Sequence, residues 1–99
     1  MKSLSMCLLV LLYTLQLTAQ SKETIIAFGS CDDEDEPQEM WKEVIAQKPI
    51  VWIWGGDNVY ADTHDMNVLK AKYDKQKSNP DYQKLMRMCT ITGTWDDHD

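Results

Sequence analysis

The chain has 99 residues, with sixteen acidic side chains against ten basic ones and a formal net charge of −6. That surplus excludes binding to a nucleic-acid backbone, which needs a basic face, and it suits cation binding. The length allows no more than one small domain.

Residues 1–20 read as an export leader. Lys2 is the basic start, an apolar run covers residues 6–12 and continues to Leu17, and Leu17-Thr18-Ala19 is an acceptable cleavage signal. The apolar run is shorter than the roughly 20 residues of a membrane span. No stable membrane anchor is therefore expected after cleavage, and the expected location is periplasmic or secreted; an uncleaved anchor is the alternative. Residues 21–99 are then the folded part. A domain of about 80 residues buries only about 60% of its unfolded surface and is marginal alone.

Ile25-Ile26-Ala27-Phe28, ended by Gly29, predicts a fully buried strand. An acidic loop follows over residues 32–36. Pro37 is expected to open a helix, at a position where its missing N–H costs nothing, with Met40, Trp41, Val44 and Ile45 as one apolar stripe. Pro49 stops that helix. Ile50-Val51-Trp52-Ile53-Trp54 is a second apolar strand before Gly55-Gly56. Strand, helix, strand with short connections is a βαβ unit with parallel strands. Continuous apolar runs fit a sheet covered on both faces. After a polar loop over residues 57–65, a lysine-rich helix is expected over about 66–77, with Val68, Leu69 and Tyr73 inward. Asn79-Pro80 breaks it, and a further helix over about 80–88 turns Tyr82, Leu85 and Met86 to one side. Residues 89–94 read as a third strand. The class is α/β.

Each strand ends in metal-capable side chains: Gly29-Ser30-Cys31-Asp32-Asp33, Gly55-Gly56-Asp57-Asn58-Val59-Tyr60, and Trp95-Asp96-Asp97-His98-Asp99. Parallel strands put all three clusters at one edge of the sheet, where open α/β sheets bind ligands. Singly, the acidic loop reads first as a solvated loop, and Asp57-Asn58 equally as a turn. Three carboxylates and an imidazole within four residues repel one another unless a cation sits among them; a capped helix start is the alternative there. Export permits a disulfide between Cys31 and Cys89, but the carboxylates around Cys31 favour a ligand, and Cys89 reads as a small apolar residue. Trp41, Trp52 and Trp54 are expected to pack, as is Trp95 beneath its motif, where substrate stacking is the alternative.

In order and spacing, Gly29-Ser30-Cys31, Trp54-Gly55-Gly56-Asp57-Asn58-Val59-Tyr60-Ala61-Asp62-Thr63, Leu69-Lys70-Ala71-Lys72-Tyr73 and Gly93-Thr94-Trp95-Asp96-Asp97-His98-Asp99 resemble the PhoD-like, or alkaline phosphatase D type, metallophosphatases. The likeness runs over residues 25–99. It departs from the family at Gly55-Gly56-Asp57, where a larger residue often precedes the final Gly-Asp. It implies the N-terminal part of a calcineurin-like metallophosphoesterase sandwich, with mixed sheets flanked by helices. The implied activity is hydrolysis of phosphate monoesters or diesters, small-molecule substrates, by a metal-activated hydroxide at an iron(III) and calcium centre. Cys31, Asp57 and Tyr60 would hold iron, with Asp57 bridging to calcium; Asp97 would be a further metal ligand and His98 the catalytic imidazole. The resemblance also implies further ligands downstream, without which residues 1–99 would be inactive. Thiolate and phenolate donors suit a trivalent iron, and carboxylate oxygens suit calcium. Asp33, two residues past Cys31 on an extended loop, is a candidate for the second metal. The rival readings are an exported calcium-binding module, which has no use for a thiolate or phenolate, and a non-catalytic interaction module.

Overall fold

The computed structural model describes residues 23–99; the leader expected over residues 1–20 lies outside them. Six elements follow in order: β1 (Ile26–Gly29), α1 (Met40–Ala46), β2 (Val51–Gly55), α2 (Met66–Ser78), α3 (Pro80–Met88) and β3 (Thr90–Thr94). The three strands form one parallel sheet in the order β1-β2-β3, with Ile26 opposite Val51 and Val51 opposite Thr90. The described part is therefore α/β, with a parallel sheet as the βαβ pattern required. Among the described residues no helix is long and apolar enough to cross a membrane.

The core lies on one side of β2. Trp52 and Trp54 point there, and α1 and α3 cover them with Trp41, Tyr82 and Leu85. Trp41 meets Trp52 edge-on at 5.1 Å between ring centroids and lies 4.7 Å from Tyr82. Edge-on aromatic pairs add to the stabilisation that burial alone provides. The Trp54 indole N–H, which would otherwise be buried without a partner, donates to the Tyr82 hydroxyl at 3.0 Å. Gly93, at φ +155°, passes directly over Trp54; a Cβ there would stand 2.4 Å from the Trp54 Cβ.

Several expectations need correction. The sheet is not covered on both faces by the described residues: Ile26, Phe28 and Ile53, which share the side away from the helices, are exposed, Phe28 at 80%. β1 is accordingly half-covered rather than fully buried. Pro37 does not open α1. The helix starts at Met40, because the Gln38 side chain folds back to donate to the Asp33 carbonyl at 2.8 Å and accepts from the Trp41 indole at 2.9 Å. Met40 consequently faces outward, and the inward stripe is Trp41, Val44 and Ile45. On α2, Val68 is exposed and the buried residue is Gln76. Trp95 is 74% exposed and so is not packed beneath its motif. Cys31 and Cys89 are both free thiols, so the alternative of a disulfide between them, not the favoured reading, is the one set aside.

The joint at Asn79 matches expectation. Its extended backbone ends α2, and its side chain caps α3 by accepting from the N–H groups of Asp81 and Tyr82, with Pro80 in the first helical turn. At the start of α2, the Asp65 side chain accepts from the Asn67 N–H at 2.8 Å.

Candidate metal centre

The loops after β1, β2 and β3 meet at the carboxyl ends of the strands. Two hydrogen bonds extend the β1–β2 contact past the sheet: Cys31 N–H donates to the Gly56 carbonyl at 3.2 Å and Asp32 N–H to the Asp57 carbonyl at 2.9 Å. The third loop is tied to the second where Ala61 and Asp62 N–H both donate to the His98 carbonyl, at 3.0 and 3.2 Å. Gly56, at φ +101°, makes this approach possible, since a Cβ on it would lie 2.7 Å from the Asp96 Cβ.

Three of these loop residues, Cys31, Asp57 and Asp62, hold positive φ without being glycine (58°, 51° and 48°). That conformation costs about 1–2 kcal/mol per residue, and residues held in it cluster at functional sites.

Asp57 occupies the middle. Its residue is buried, at 8% exposure, yet its carboxylate has poor partners. Oδ2 faces the Cys31 thiol, which donates across 3.7 Å, and Oδ1 receives the His98 backbone N–H across 3.4 Å. A buried carboxylate needs strong hydrogen bonds, an ion pair or a metal. The donor atoms of Asp57, Asp97 and His98 all lie within 4.8 Å of one another. The donor set thus divides about Asp57, with the Cys31 thiol on the side of one oxygen and the loop of Asp97 and His98 on the side of the other. Tyr60 belongs to the first group: a hydrogen bond with the Cys31 thiol is the main cause that pushes its phenol up to about 12. A cation bound by both groups would favour ionising both and offset the repulsion between the two anions. The residues present therefore fit an anionic sulfur–phenolate position beside a carboxylate position, with Asp57 able to serve both.

His98 is held at its ring as well as its backbone. Nδ1 lies 2.5 Å from Asp62 Oδ1, and this contact raises the imidazole pKa above its usual value. The Tyr60 ring lies 4.6 Å from the imidazole, centroid to centroid. With Nδ1 engaged by Asp62, Nε2 is the ring nitrogen left for a further partner. A cavity of about 340 Å³ opens beside it, with Asp62, His64, Leu69, Asp97 and His98 among its walls.

Asp33 falls elsewhere. Its carboxylate accepts from the Asp35 N–H at 3.0 Å and groups with Glu34 and Asp35, not with Asp57. The acidic loop is not simply solvated, because Asp32 and Glu34 are buried. Burial pushes the Asp32 carboxyl up. Burial also pushes Glu34 up, but hydrogen bonds from Lys72 and the Tyr60 N–H overcome it and leave that group below its usual value. Glu34 thereby links the first loop to the second at 3.0 Å and to α2, through Lys72, at 2.5 Å.

Sequence reading brought forward Cys31, Asp57, Tyr60, Asp97 and His98, and the fold gathers these five. It missed Asp62, Asn58, Asp99 and Gln76. Asp62 and Asp99 stood within the motifs, while a glutamine three residues after Tyr73 on the same helical side was the only sign of Gln76. Compared with protein-family models, with curated proteins and with solved structures, the chain matches none.

Proposed function

We propose that the chain is part of an exported phosphoesterase of the alkaline phosphatase D type, built on a calcineurin-like sandwich and acting on small phosphate monoesters or diesters at an iron(III)–calcium centre. The observation that carries the reading is Asp57, a buried carboxylate set between a thiol–phenol pair and a carboxylate–imidazole pair without a strong partner of its own. Cys31 and Tyr60 would hold the iron, Asp57 would contact both cations, and Asp97 would face the calcium. When bound, the cations supply Lewis acidity toward the phosphoryl oxygens and a water of lowered pKa.

The protein's own groups then have separable tasks. His98, oriented through Nδ1 by Asp62, presents Nε2 to the substrate and assists departure of the leaving oxygen. The cavity beside it receives the esterified group. Gly56 keeps the third loop within reach of Asp57.

Ferric iron added to the protein should produce a visible thiolate and phenolate charge-transfer band, weakened in Tyr60→Phe and in Cys31→Ser. A fully metallated, colourless protein would favour the calcium-module reading instead. In protein competent to hydrolyse p-nitrophenyl phosphate, Asp57→Ala should reduce turnover to background; hydrolysis at the parental rate would refute the site.

A further inference from the structure

Asp99 ends the acidic motif but is engaged differently from Asp97. Its carboxylate already accepts from three donors. Oδ2 accepts from the Asn58 N–H at 2.8 Å and from the Tyr73 hydroxyl at 2.9 Å; Oδ1 accepts from the Asp96 N–H at 2.8 Å. These distances are those of strong bonds to a charged acceptor, whereas the bonds to Asp57 are long. A carboxylate engaged in this way has fewer lone pairs free for a cation than Asp57 has.

The donors to Asp99 are themselves fixed. Asn58, 5% exposed, donates its side-chain amide to the Thr94 carbonyl at 3.0 Å and to the Tyr73 hydroxyl at 3.4 Å. The Thr94 carbonyl can only accept, which settles which end of the amide faces it. The Asn58 backbone carbonyl in turn accepts from Gln76, whose amide also donates to Asp32 at 3.1 Å. Tyr73 and Gln76 stand three apart on α2 and so share a side of that helix. From that side they reach the first loop at Asp32, the second at Asn58 and the third at Asp99.

We infer that Asp99, with Asn58 and with Tyr73 and Gln76 of α2, is a latch that sets Asp97 and His98 at their distance from Asp57: Asp99 is a positioning residue, and α2 is the strut that carries the setting. Its consequence for cation affinity rests on the metal-centre reading above; the latch itself does not.

The test therefore has two arms on the same proteins: the full chain, Asp99→Asn, Tyr73→Phe and Asp97→Asn. The first arm is amide hydrogen exchange without added metal. Asp99→Asn replaces one accepting oxygen with a donor, and Tyr73→Phe deletes a donor. Both should speed exchange about tenfold at residues 56–62 and 96–98 while the strands keep their protection; Asp97→Asn should not. Unchanged exchange in both latch variants would overturn the inference. The second arm is calorimetric titration with calcium chloride alone. Asp99→Asn should weaken calcium binding at least about tenfold, as loss of a group supporting a ligand does, with the number of ions unchanged. Asp97→Asn should lose the calcium position. Loss of an ion in Asp99→Asn, or affinity equal to the parent's, would overturn the positioning role. An unsubstituted chain that binds no calcium while the exchange result holds would overturn the calcium reading and support the latch.

Discussion

Asp62 has a left-handed backbone and a largely exposed side chain, yet it engages the His98 imidazole at 2.5 Å. Its anionic oxygen favours the protonated ring, so the imidazole pKa is raised. The contact therefore adds stability that is fully present below the unfolded histidine value, about 6.5, and is lost as the pH rises through the folded one. Asp62→Asn should lower the His98 pKa toward the unperturbed value and flatten that loss, as seen by NMR titration of the metal-free chain. An unmoved titration would mean that Asp62 does not orient the ring. Neither Asp62 nor Asp99 could be assigned a role from its place in a motif, because hydrogen-bond partners 36 and 41 residues away belong to the folded chain. Asp57 and Tyr60 were legible because both side chains are capable metal donors and their spacing places them directly after a strand.

Among the elements, strands and helices followed their local patterns where one neighbour decided them. Asn79-Pro80 is a capping pair in any context, and α3 turns Tyr82 and Leu85 inward as its spacing requires. α1 and α2 departed where side chains competed with the backbone. Gln38 anchors the chain before α1, and Gln76 takes an inward position that hydrophobic patterning assigns to an apolar residue. The joining of β2 and β3 is similarly specific. Gly93 lies opposite Trp54 with no room for a side chain, the nearest backbone atom being 2.5 Å from a Cβ built there. Gly93→Ala should cost about 2 kcal/mol or more, combining overpacking with an unfavourable φ, measured as a lower urea midpoint. A variant as stable as the parent would show that β3 can move away from Trp54 freely.

Among the described residues, part of the acidic charge is paired locally with lysines. Lys72 and Lys75 of α2 converge on Asp35 and hold its carboxyl down to about 2, against an ordinary 3.8. A depressed carboxyl contributes stability above its unfolded value, and the contribution is lost as the pH falls through the folded one. The window is therefore about pH 4 down to about pH 2. Lys75→Met should make the urea midpoint fall less steeply across that window, with little change at pH 7, as expected of exposed pairs; an identical profile would remove the pair from the acid response. Lys72→Met should cost more at pH 7, about 2 kcal/mol, since Glu34 is buried and loses a charge-assisted bond. The bare side of the sheet belongs to this scale too. Ile26, Phe28 and Ile53 continue an apolar pattern that suits a two-sided cover, while the described helices supply one side only.

The sequence by itself determined the parallel βαβ start, the three strand-end clusters and the residue types able to hold a cation, because these depend on periodicity, turn chemistry and ligand chemistry within a few residues. Tertiary structure alone decided which carboxylate is left without a strong partner and which is held by three short hydrogen bonds. Asp57 and Asp99 are the same residue type in similar acidic loops. They differ because α2 brings the Tyr73 hydroxyl and the fixed Asn58 backbone to one of them, while the other is buried among groups that reach it only at long range.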